Sequence, residues 1–504
     1  MSLVANPESS SPLGNSDRAG DDDRSARQPP TRVLLLAAIP AIVIGLLIRA
    51  WVVRSSLLPL NADDATTGLQ SLEVLEGRFH TVVAGNQYGS TTESYLFAPL
   101  VAFWSGTWPL RVGAALLSIL VAYALIRLAR PILGRTVALV VGLVGWTMSG
   151  AIVIMWSHAY MGYTTGFVAQ VAALALACQA MRTTDRLARI AFYGGLAAGI
   201  ALWSHPMFGV MSLLALIAPT VLRWRSLRSW WLPVAAGGVI GVSPWLVFIV
   251  RNGLPSGPTL ESTYAERIEK FFVELMPRLF GVRAPNGQWL DPSWLCATFV
   301  VVFVGGALSG LVFLVVRRGA ETVPILVSGF LAFPALALFP ALSTHNDGRY
   351  GVAFIAPLLM GLAAWSLLLP RRVSDSPWLV AVIPTVWALA LCVPVIHHQI
   401  GWTTENPDSG AEQVVDTLRD RGVHYLAGEY WGVYRIDYLA DRSIDVKPDF
   451  VVRFPDEAAR VDAADPGQIA YIYTSGLTPT LLRPVDQYDL AQVGGYDLYL
   501  PKSG

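Results

Sequence analysis

Eleven apolar runs, most of them close to the length of one bilayer crossing, constrain what this chain can fold into. A helix needs about 20 predominantly apolar residues to cross the hydrocarbon core, and backbone in lipid must satisfy its own hydrogen bonds. The runs are Val33 to Val53, Trp108 to Leu128, Val137 to Trp156, Thr164 to Met181, Ile190 to Trp203, Met207 to Leu222, Trp230 to Val250, Trp294 to Val316, Val323 to Leu342, Val352 to Leu369 and Trp378 to Ile396. With 54% hydrophobic and only 14% charged residues, soluble cores cannot absorb this material. The expectation is a polytopic α-helical membrane protein with about 11 transmembrane helices.

Charge is informative by position. Lys plus Arg and Asp plus Glu both number 36, and no long basic run occurs, so nothing points to nucleic acid. Arginines cluster in alternate short connections: Arg127, Arg130 and Arg135; Arg182, Arg186 and Arg189; Arg223, Arg225 and Arg228; Arg317 and Arg318; Arg371 and Arg372. The positive-inside rule makes these cytoplasmic, together with a Ser-, Asp-, Arg- and Pro-rich tail over 1–32 that reads as disordered. The first apolar run lies too deep to read as a cleavable signal peptide. Long loops over 54–107 and 251–293 then face outward, as does everything from 397 onward. In a bacterial host the membrane is the inner, or plasma, membrane. Trp51, Trp108, Trp156, Trp230, Trp294 and Trp378 fall at span ends, where an aromatic belt is expected.

Cys178, Cys296 and Cys392 sit in apolar stretches without partner spacing, so they read as inert thiols rather than a disulfide or zinc framework. Beyond residue 397 charges return. Ser409 and Glu412 read as a capping box and Gly422 as the helix stop. His424 to Ala427, Ile469 to Tyr473 and Tyr496 to Leu500 read as strands, and Trp431, Tyr434 and Tyr438 as one helical face. These predict a small extracytoplasmic α/β domain over 397–504, with Trp431 and Tyr434 in its core; a sugar-stacking platform is the alternative reading of the two rings.

The chemistry-bearing residues concentrate in the first outward loop. Asn61-Ala62-Asp63-Asp64 begins an amphipathic helix carrying Leu69, Leu72 and Leu75, stopped by Gly77 and expected to lie on the membrane surface. Asp at a helix start is a favoured cap, and a carboxylate held ionised there is also a usable general base. Downstream, the run Gly85 to Tyr95 is polar and Gly-punctuated and leads straight into apolar sequence, a pattern tolerated beside lipid where backbone lines a wet cavity. Gln87, Tyr88 and Glu93 in it are candidate substrate-binding residues; a plain loop is the alternative.

Asp63-Asp64-Ala65, Gly68, Leu75-Glu76-Gly77, Gly85-Asn86-Gln87-Tyr88-Gly89 and Glu93 to Leu100 resemble the first periplasmic loop of bacterial polyprenyl-phosphate-sugar-dependent glycosyltransferases. This is the GT-C superfamily, which includes protein O-mannosyltransferases and the lipid A aminoarabinose transferase. The resemblance implies a GT-C type fold, a lipid-linked sugar phosphate as donor, and Asp63 as the base that activates an acceptor hydroxyl. Asp64 stands where the family often has Glu, one methylene longer. Arg349-Tyr350 at the start of a late span and the run Glu429 to Arg435 extend the likeness along the chain. Some relatives use a divalent metal ion, which would here lie between Asp64 and the phosphate. Glycan, glycolipid and protein hydroxyls all remain open as acceptors.

Other outward residues fit such a site. His205, before Pro206, is a candidate ligand for donor or acceptor, or a satisfied structural histidine. His158 and Tyr160 are open to the same two readings. Arg349 is the one basic residue in the three short outward loops, and its guanidinium can grip a phosphate through paired hydrogen bonds; an Asp347 to Arg349 surface pair is the alternative. Arg251, beside Asn252, is a weaker candidate. A transporter or flippase of lipid-linked glycans would instead need ionisable residues and broken helices near the bilayer midplane.

Overall fold

The computed structural model describes residues 29–55, 58–254, 262–284, 287–338, 348–400 and 406–502. Among them eight helices are long and apolar enough to cross a membrane: Thr31–Val53, Trp108–Leu133, Tyr163–Arg182, Leu187–Ser204, Leu227–Asn252, Ser293–Arg318, Arg349–Leu368 and Pro377–His398. The protein is therefore a multi-pass membrane protein. The three other expected spans correspond to shorter apolar helices, Arg135–Trp146, Pro206–Leu222 and Ala320–Leu336.

Small residues bring the spans into backbone contact. A Cβ on Gly195 would lie 2.1 Å from the Val234 carbonyl oxygen, and one on Gly237 would lie 2.0 Å from that of Phe192. The Gly/Ala run from Gly194 to Gly199 thus serves close helix packing, for which lipid supplies no competing hydrophobic drive.

The expected span Val137 to Trp156 is broken. One helix ends at Trp146 and another, Gly150–Met155, begins after Ser149, whose hydroxyl caps the Ile152 N–H. The backbone freed at the break is covered by side chains from other elements. Arg49 Nη2 donates to the Trp146 carbonyl at 2.7 Å, Cys392 Sγ lies 3.1 Å from that of Thr147, and Trp387 Nε1 donates to that of Met148 at 2.8 Å. Irregular backbone at this depth is tolerable because protein encloses it.

The aromatic belt holds only in part. Trp108, Trp294 and Trp378 are exposed at span ends, whereas Trp156 and Trp230 are 1% exposed and belong to the bundle core. The second outward loop also departs from expectation. Its segment from Phe271 through Leu279 is helical, and Phe271, Leu275, Met276, Leu279 and Phe280 are buried in the core of the bundle.

At the C-terminal end lies a five-stranded sheet of order β2-β1-β3-β5-β4, with β1 Tyr425–Gly428, β2 Asp445–Pro448, β3 Ile469–Thr474, β4 Tyr488–Val493 and β5 Tyr496–Pro501. β1 pairs in parallel with β2 and β3; β5 is antiparallel to β3 and β4. The helices Tyr430–Leu439 and Pro455–Ala463 make the crossovers that parallel pairing requires. The expected capping box at Ser409 is not formed. Asp408 takes the N-cap position of the helix Ser409–Asp420 without a side-chain cap, and Glu412 binds Asn406 Nδ2 instead.

The first-loop helix, Ala62–Leu75, is not an exposed amphipathic helix. Ten of its 14 residues are buried, because it is wedged against the Tyr430–Leu439 helix. A Cβ on Gly68 would lie 2.3 Å from the Tyr438 ring, so only glycine permits this approach. Leu60, Ala65, Leu69 and Phe97 share one apolar core with Val414, Leu426, Val433 and Ile436. Loop and sheet unit are a single packed layer over the spans.

Candidate functional site

Asn61 starts the site. Its side chain accepts the Asp64 N–H at 2.9 Å while the Asp64 carboxylate faces the Asn61 N–H, a reciprocal cap that fixes where the helix begins. The two acids of the motif consequently point to different places. Asp64 is 4% exposed, with one oxygen 2.5 Å from His158 Nδ1 and the other accepting the Ala159 N–H at 2.7 Å. Asp63 turns toward a cavity of about 260 Å³, also lined by Tyr88, Tyr160, His205, Arg349, Tyr350, Tyr430, Trp431 and Arg453.

Two guanidiniums face Asp63. Arg349 Nη1 lies 3.5 Å from Oδ2 and Arg453 Nη2 lies 3.3 Å from Oδ1. Arg453 is held from behind: its Nε and Nη2 donate to the Tyr430 hydroxyl at 2.8 and 2.6 Å, and Nη1 donates to the Ala84 carbonyl at 3.1 Å. Arg349 sits over the rings of Tyr160 and Tyr350, 5.7 and 5.9 Å from their centroids. Burial pushes the Tyr430 phenol up against the pull of Arg453, and the Tyr88 phenol up against the pulls of Arg349 and Arg453. Both phenols therefore stay neutral.

Of the residues singled out in the sequence, Asp63, Tyr88, Tyr160, His205, Arg349 and Tyr350 line this cavity. His205 is also structural, since its Nδ1 accepts the Met207 N–H at 3.3 Å and its ring packs against Tyr88, Tyr163 and Tyr350. Gln87 is exposed and its carbonyl accepts the Trp245 Nε1–H at 2.9 Å, pinning the loop to the bundle. Glu93 is 2% exposed and accepts the Gly162 and Thr165 N–H groups at 2.9 and 3.1 Å, so its carboxyl covers the N-terminus of the span Tyr163–Arg182. Burial pushes that carboxyl up against those hydrogen bonds. Asn346 and Asp347 lie outside the described residues. Trp431, expected in a core, is 48% exposed and lines the cavity, while Tyr434 is 1% exposed and does belong to the core.

Arg453 escaped notice in the sequence, and Tyr430 entered only as part of the run Glu429 to Arg435. Arg453 stands alone in Phe450-Val451-Val452-Arg453-Phe454, and a cation inside an apolar run was the available signal. It also borders a second cavity of about 480 Å³, where Arg251 and Arg442 lie among Glu73, Asp456 and Glu457.

The residues present do not fit a metal at Asp64, because both of its oxygens are engaged by His158 and the Ala159 N–H. Among the described residues no group of three or more His, Cys, Asp or Glu could hold an ion.

No protein-family model matches the sequence, and no curated protein matches it. Solved structures do match. ArnT from Cupriavidus metallidurans bound to undecaprenyl phosphate superposes with a TM-score of 0.61 at 14% identity, over 94% of this chain and 98% of that one. The same protein in the apo state gives a TM-score of 0.61 at 13% identity, over 92% and 97% of the two chains. The Archaeoglobus fulgidus oligosaccharyltransferase, in complex with Zn and sulfate, gives 0.49 at 13% identity over 87% of this chain and 67% of that one. Nearly the whole chain therefore has the fold of ArnT, a lipid A aminoarabinose transferase of the GT-C glycosyltransferases, which is the likeness carried by its first loop.

Proposed function

We propose that this protein is a membrane glycosyltransferase that moves a sugar from a polyprenyl-phosphate donor to an acceptor hydroxyl on the extracytoplasmic face. The observation that carries the reading is a carboxylate, Asp63, facing a cavity that also presents the Arg349 guanidinium and several aromatic rings. The ArnT-like fold, one instance of which is bound to undecaprenyl phosphate, supports the donor class.

In the proposed reaction the acceptor oxygen attacks the anomeric carbon, and its proton passes to Asp63. The bond from that carbon to the phosphate oxygen breaks, and its electron pair leaves with the polyprenyl phosphate. A single displacement inverts the anomeric configuration. Arg349 supplies positive charge where the phosphate develops its own, and aromatic faces suit a sugar ring. Asp64, His158 and Glu93 are structural in this scheme.

The topology follows from the same reading: eleven crossings, the tail 1–32 and the arginine-rich connections cytoplasmic, and the segment 397–504 extracytoplasmic at the inner membrane. Ion pairing of Arg182 with Glu321 and bonding of Arg223 to the carbonyls of Ala180 and Thr183 gather those residues at the span ends far from Asp63, in keeping with this orientation. A transporter needs a buried charge free to serve a cargo. Arg49 is the buried cation of its span, and its guanidinium is occupied with the Trp146 carbonyl and ring.

The test is transfer from a panel of synthetic polyprenyl-phosphate sugars in membranes holding wild type or Asp63→Asn. Transfer by the wild type that vanishes in a variant inserted at equal abundance supports the reading. Equal transfer by both removes Asp63 as base, and no transfer from any donor sinks the class.

A further inference from the structure

The cavity that Asp63 faces has two sides of different origin. Tyr163, His205 and Arg349 stand at span ends, while Trp431, Phe450 and Arg453 come from the sheet unit. Asp63 lies between them, 3.5 Å from Arg349 Nη1 and 3.3 Å from Arg453 Nη2. A donor whose phosphate carries a polyprenol comes out of the bilayer, because its apolar chain stays there, so the span side is its side. The sheet side, across Asp63, is left for the acceptor whose proton the base has to take. At about 260 Å³ the cavity is also smaller than the roughly 300–1,000 Å³ of pockets that enclose one drug-sized ligand. Donor and acceptor sugars are not both enclosed in it, and one of them rests at the mouth.

Two large rings of the sheet unit stand open at that mouth. Trp431 is 48% exposed and Phe450 62%, and both line the cavity. Each packs on the buried Tyr430 ring, with centroids 5.1 Å away for Trp431 and 4.8 Å for Phe450. Arg453 in turn fixes Tyr430 by donating to its hydroxyl from Nε and Nη2. The open rings are thus held in place before any ligand arrives, and exposed apolar surface beside a reactive group marks a surface that a ligand covers. We infer that Trp431 and Phe450 seat a sugar ring of the acceptor, and that the acceptor hydroxyl therefore belongs to a carbohydrate. The inference rests on the glycosyltransferase reading and adds the chemical class of its acceptor.

The surroundings favour a sugar over a peptide. A pyranose or furanose offers C–H groups on its faces and hydroxyls around its edge. Flat aromatic faces take the first, and the Asn86 carboxamide and the neutral Tyr88 phenol in the same lining suit the second. A peptide acceptor in extended form instead needs an open strand edge to pair with. The edge strand on this side of the sheet is β2, which leads into Phe450 two residues beyond its end. It has four residues and closes on Pro448, which has no N–H to give. The other edge, β4, lies at the opposite end of the sheet, with β1, β3 and β5 between.

The experiment is a binding array. Purified full-length protein in fluorescent nanodiscs is passed over oligosaccharides of mannose, galactose, glucose and arabinose, with Ser- and Thr-containing peptides on the same surface and empty nanodiscs as the control. Wild type is compared with Trp431→Ala, Phe450→Ala and Trp431→Tyr, and an equal melting temperature establishes that each is folded, as the exposure of both rings leads one to expect. The expected result is that the wild type holds at least one oligosaccharide and no peptide. Each alanine variant weakens that binding about tenfold, Trp431→Tyr recovers part of it, and all four proteins bind farnesyl phosphate alike. Peptide binding in place of glycan binding, no glycan bound, or glycan binding indifferent to both rings overturns the inference. So does loss of farnesyl phosphate together with the glycan, since the rings would then serve the donor. The bound oligosaccharide is finally offered as acceptor to the donor panel. Ring-dependent glycan binding without transfer from any donor sinks the glycosyltransferase reading and keeps the sugar seat, whereas transfer to that glycan undiminished in Trp431→Ala keeps the reading and sinks the seat.

Discussion

The His158 ring nitrogen lies 2.5 Å from the Asp64 carboxylate, while Asp63, one residue earlier, faces the cavity between two arginines. Adjacent acids on one helix turn have thus taken different work. Asp64 joins the loop to the segment carrying Tyr160, and Asp63 is the acid that faces the cavity. Asp64→Ala is expected to cost about 3–5 kcal/mol, because it strands a buried histidine and the Ala159 N–H. Its apparent melting temperature in detergent should fall well below that of the wild type. Retained melting together with lost transfer would exchange the roles given to the two acids.

Asp63→Asn is expected to do the reverse. Its shape is kept, the helix cap made by Asn61 and Asp64 is untouched, and melting should stay within a few degrees of the wild type. Transfer should drop by about 10²–10⁴-fold, the usual contribution of a positioned base. A drop that recovers as pH is raised would mean that the acceptor hydroxyl ionises by itself in solution.

Asp408 ties the sheet unit to the start of the first loop. It is fully buried and receives the Leu60 N–H at 2.8 Å, Arg435 Nη2 at 2.9 Å and a short contact from Arg111. Arg111 in turn holds the carbonyls of Val53 and Leu58, the path from the first span to Asp63. Asp408→Ala leaves the buried Arg111 and the half-buried Arg435 without their shared anion, so a loss of about 3–5 kcal/mol is expected. Limited proteolysis should then cut the 58–62 stretch faster than in the wild type. An unaltered cutting pattern would mean that apolar contacts alone seat the sheet unit.

What could be read in the sequence and what could not follows a physical division. The spans were legible because lipid imposes a length and a composition on each one separately. The helix stops at Gly77 and Gly422 were legible because each takes a positive φ, +80° and +61°. The break at Thr147 to Ser149 was hidden, since both flanking helices are apolar and the covering groups come from Arg49, Trp387 and Cys392. β2 went unread because it is only four residues long with two charges, and β4 because most of its residues are not buried and it lacks the apolar run of β3 and β5. Asp63 and Tyr88 were found in the motifs of the first outward loop, and His205, Arg349 and Tyr350 beside span ends on the same predicted face. Arg453 was missed because its relation to Asp63 spans 390 residues and arises only when the sheet unit packs on the loop.

Asp437 and Glu457 make the sheet unit sensitive to pH. With both carboxyls ionised neither Asp437 oxygen has a donor, whereas a shared proton joins the two. Burial, reinforced by the charge of Glu457, pushes Asp437 well above the ordinary carboxylate range; burial also pushes Glu457 up, against the pull of Arg442. Raised acids bind a proton in the folded chain that the unfolded chain has released. Their stabilising contribution is therefore complete below the unfolded carboxylate range and is lost as pH rises through the raised folded value. The melting temperature should fall as pH rises above the ordinary carboxylate range, with a shallower fall in Asp437→Asn, whose amide replaces the shared proton. Parallel curves for the two proteins would place the sensitivity elsewhere.

Arg49 sets the direction of the segment that delivers His158. Its guanidinium lies 4.2 Å from the Trp146 ring centroid and donates to the last carbonyl of that helix, where positive charge also suits the helix dipole. The helix Gly150–Met155 leaves the break and runs to Trp156, Ser157 and His158, so a shift at Trp146 reaches Asp64 directly. Arg49→Leu uncovers a buried carbonyl, at a cost of about 1–3 kcal/mol. Gly45→Ala attacks the same contact from the other side, since its Cβ would meet the Trp146 ring at 2.6 Å. Both variants are expected to lower melting temperature and transfer together, whereas a purely local role would lower melting and leave the transfer rate per folded molecule intact. Arg49→Lys should restore part of each, because a lysine keeps the charge but cannot stack as a guanidinium does.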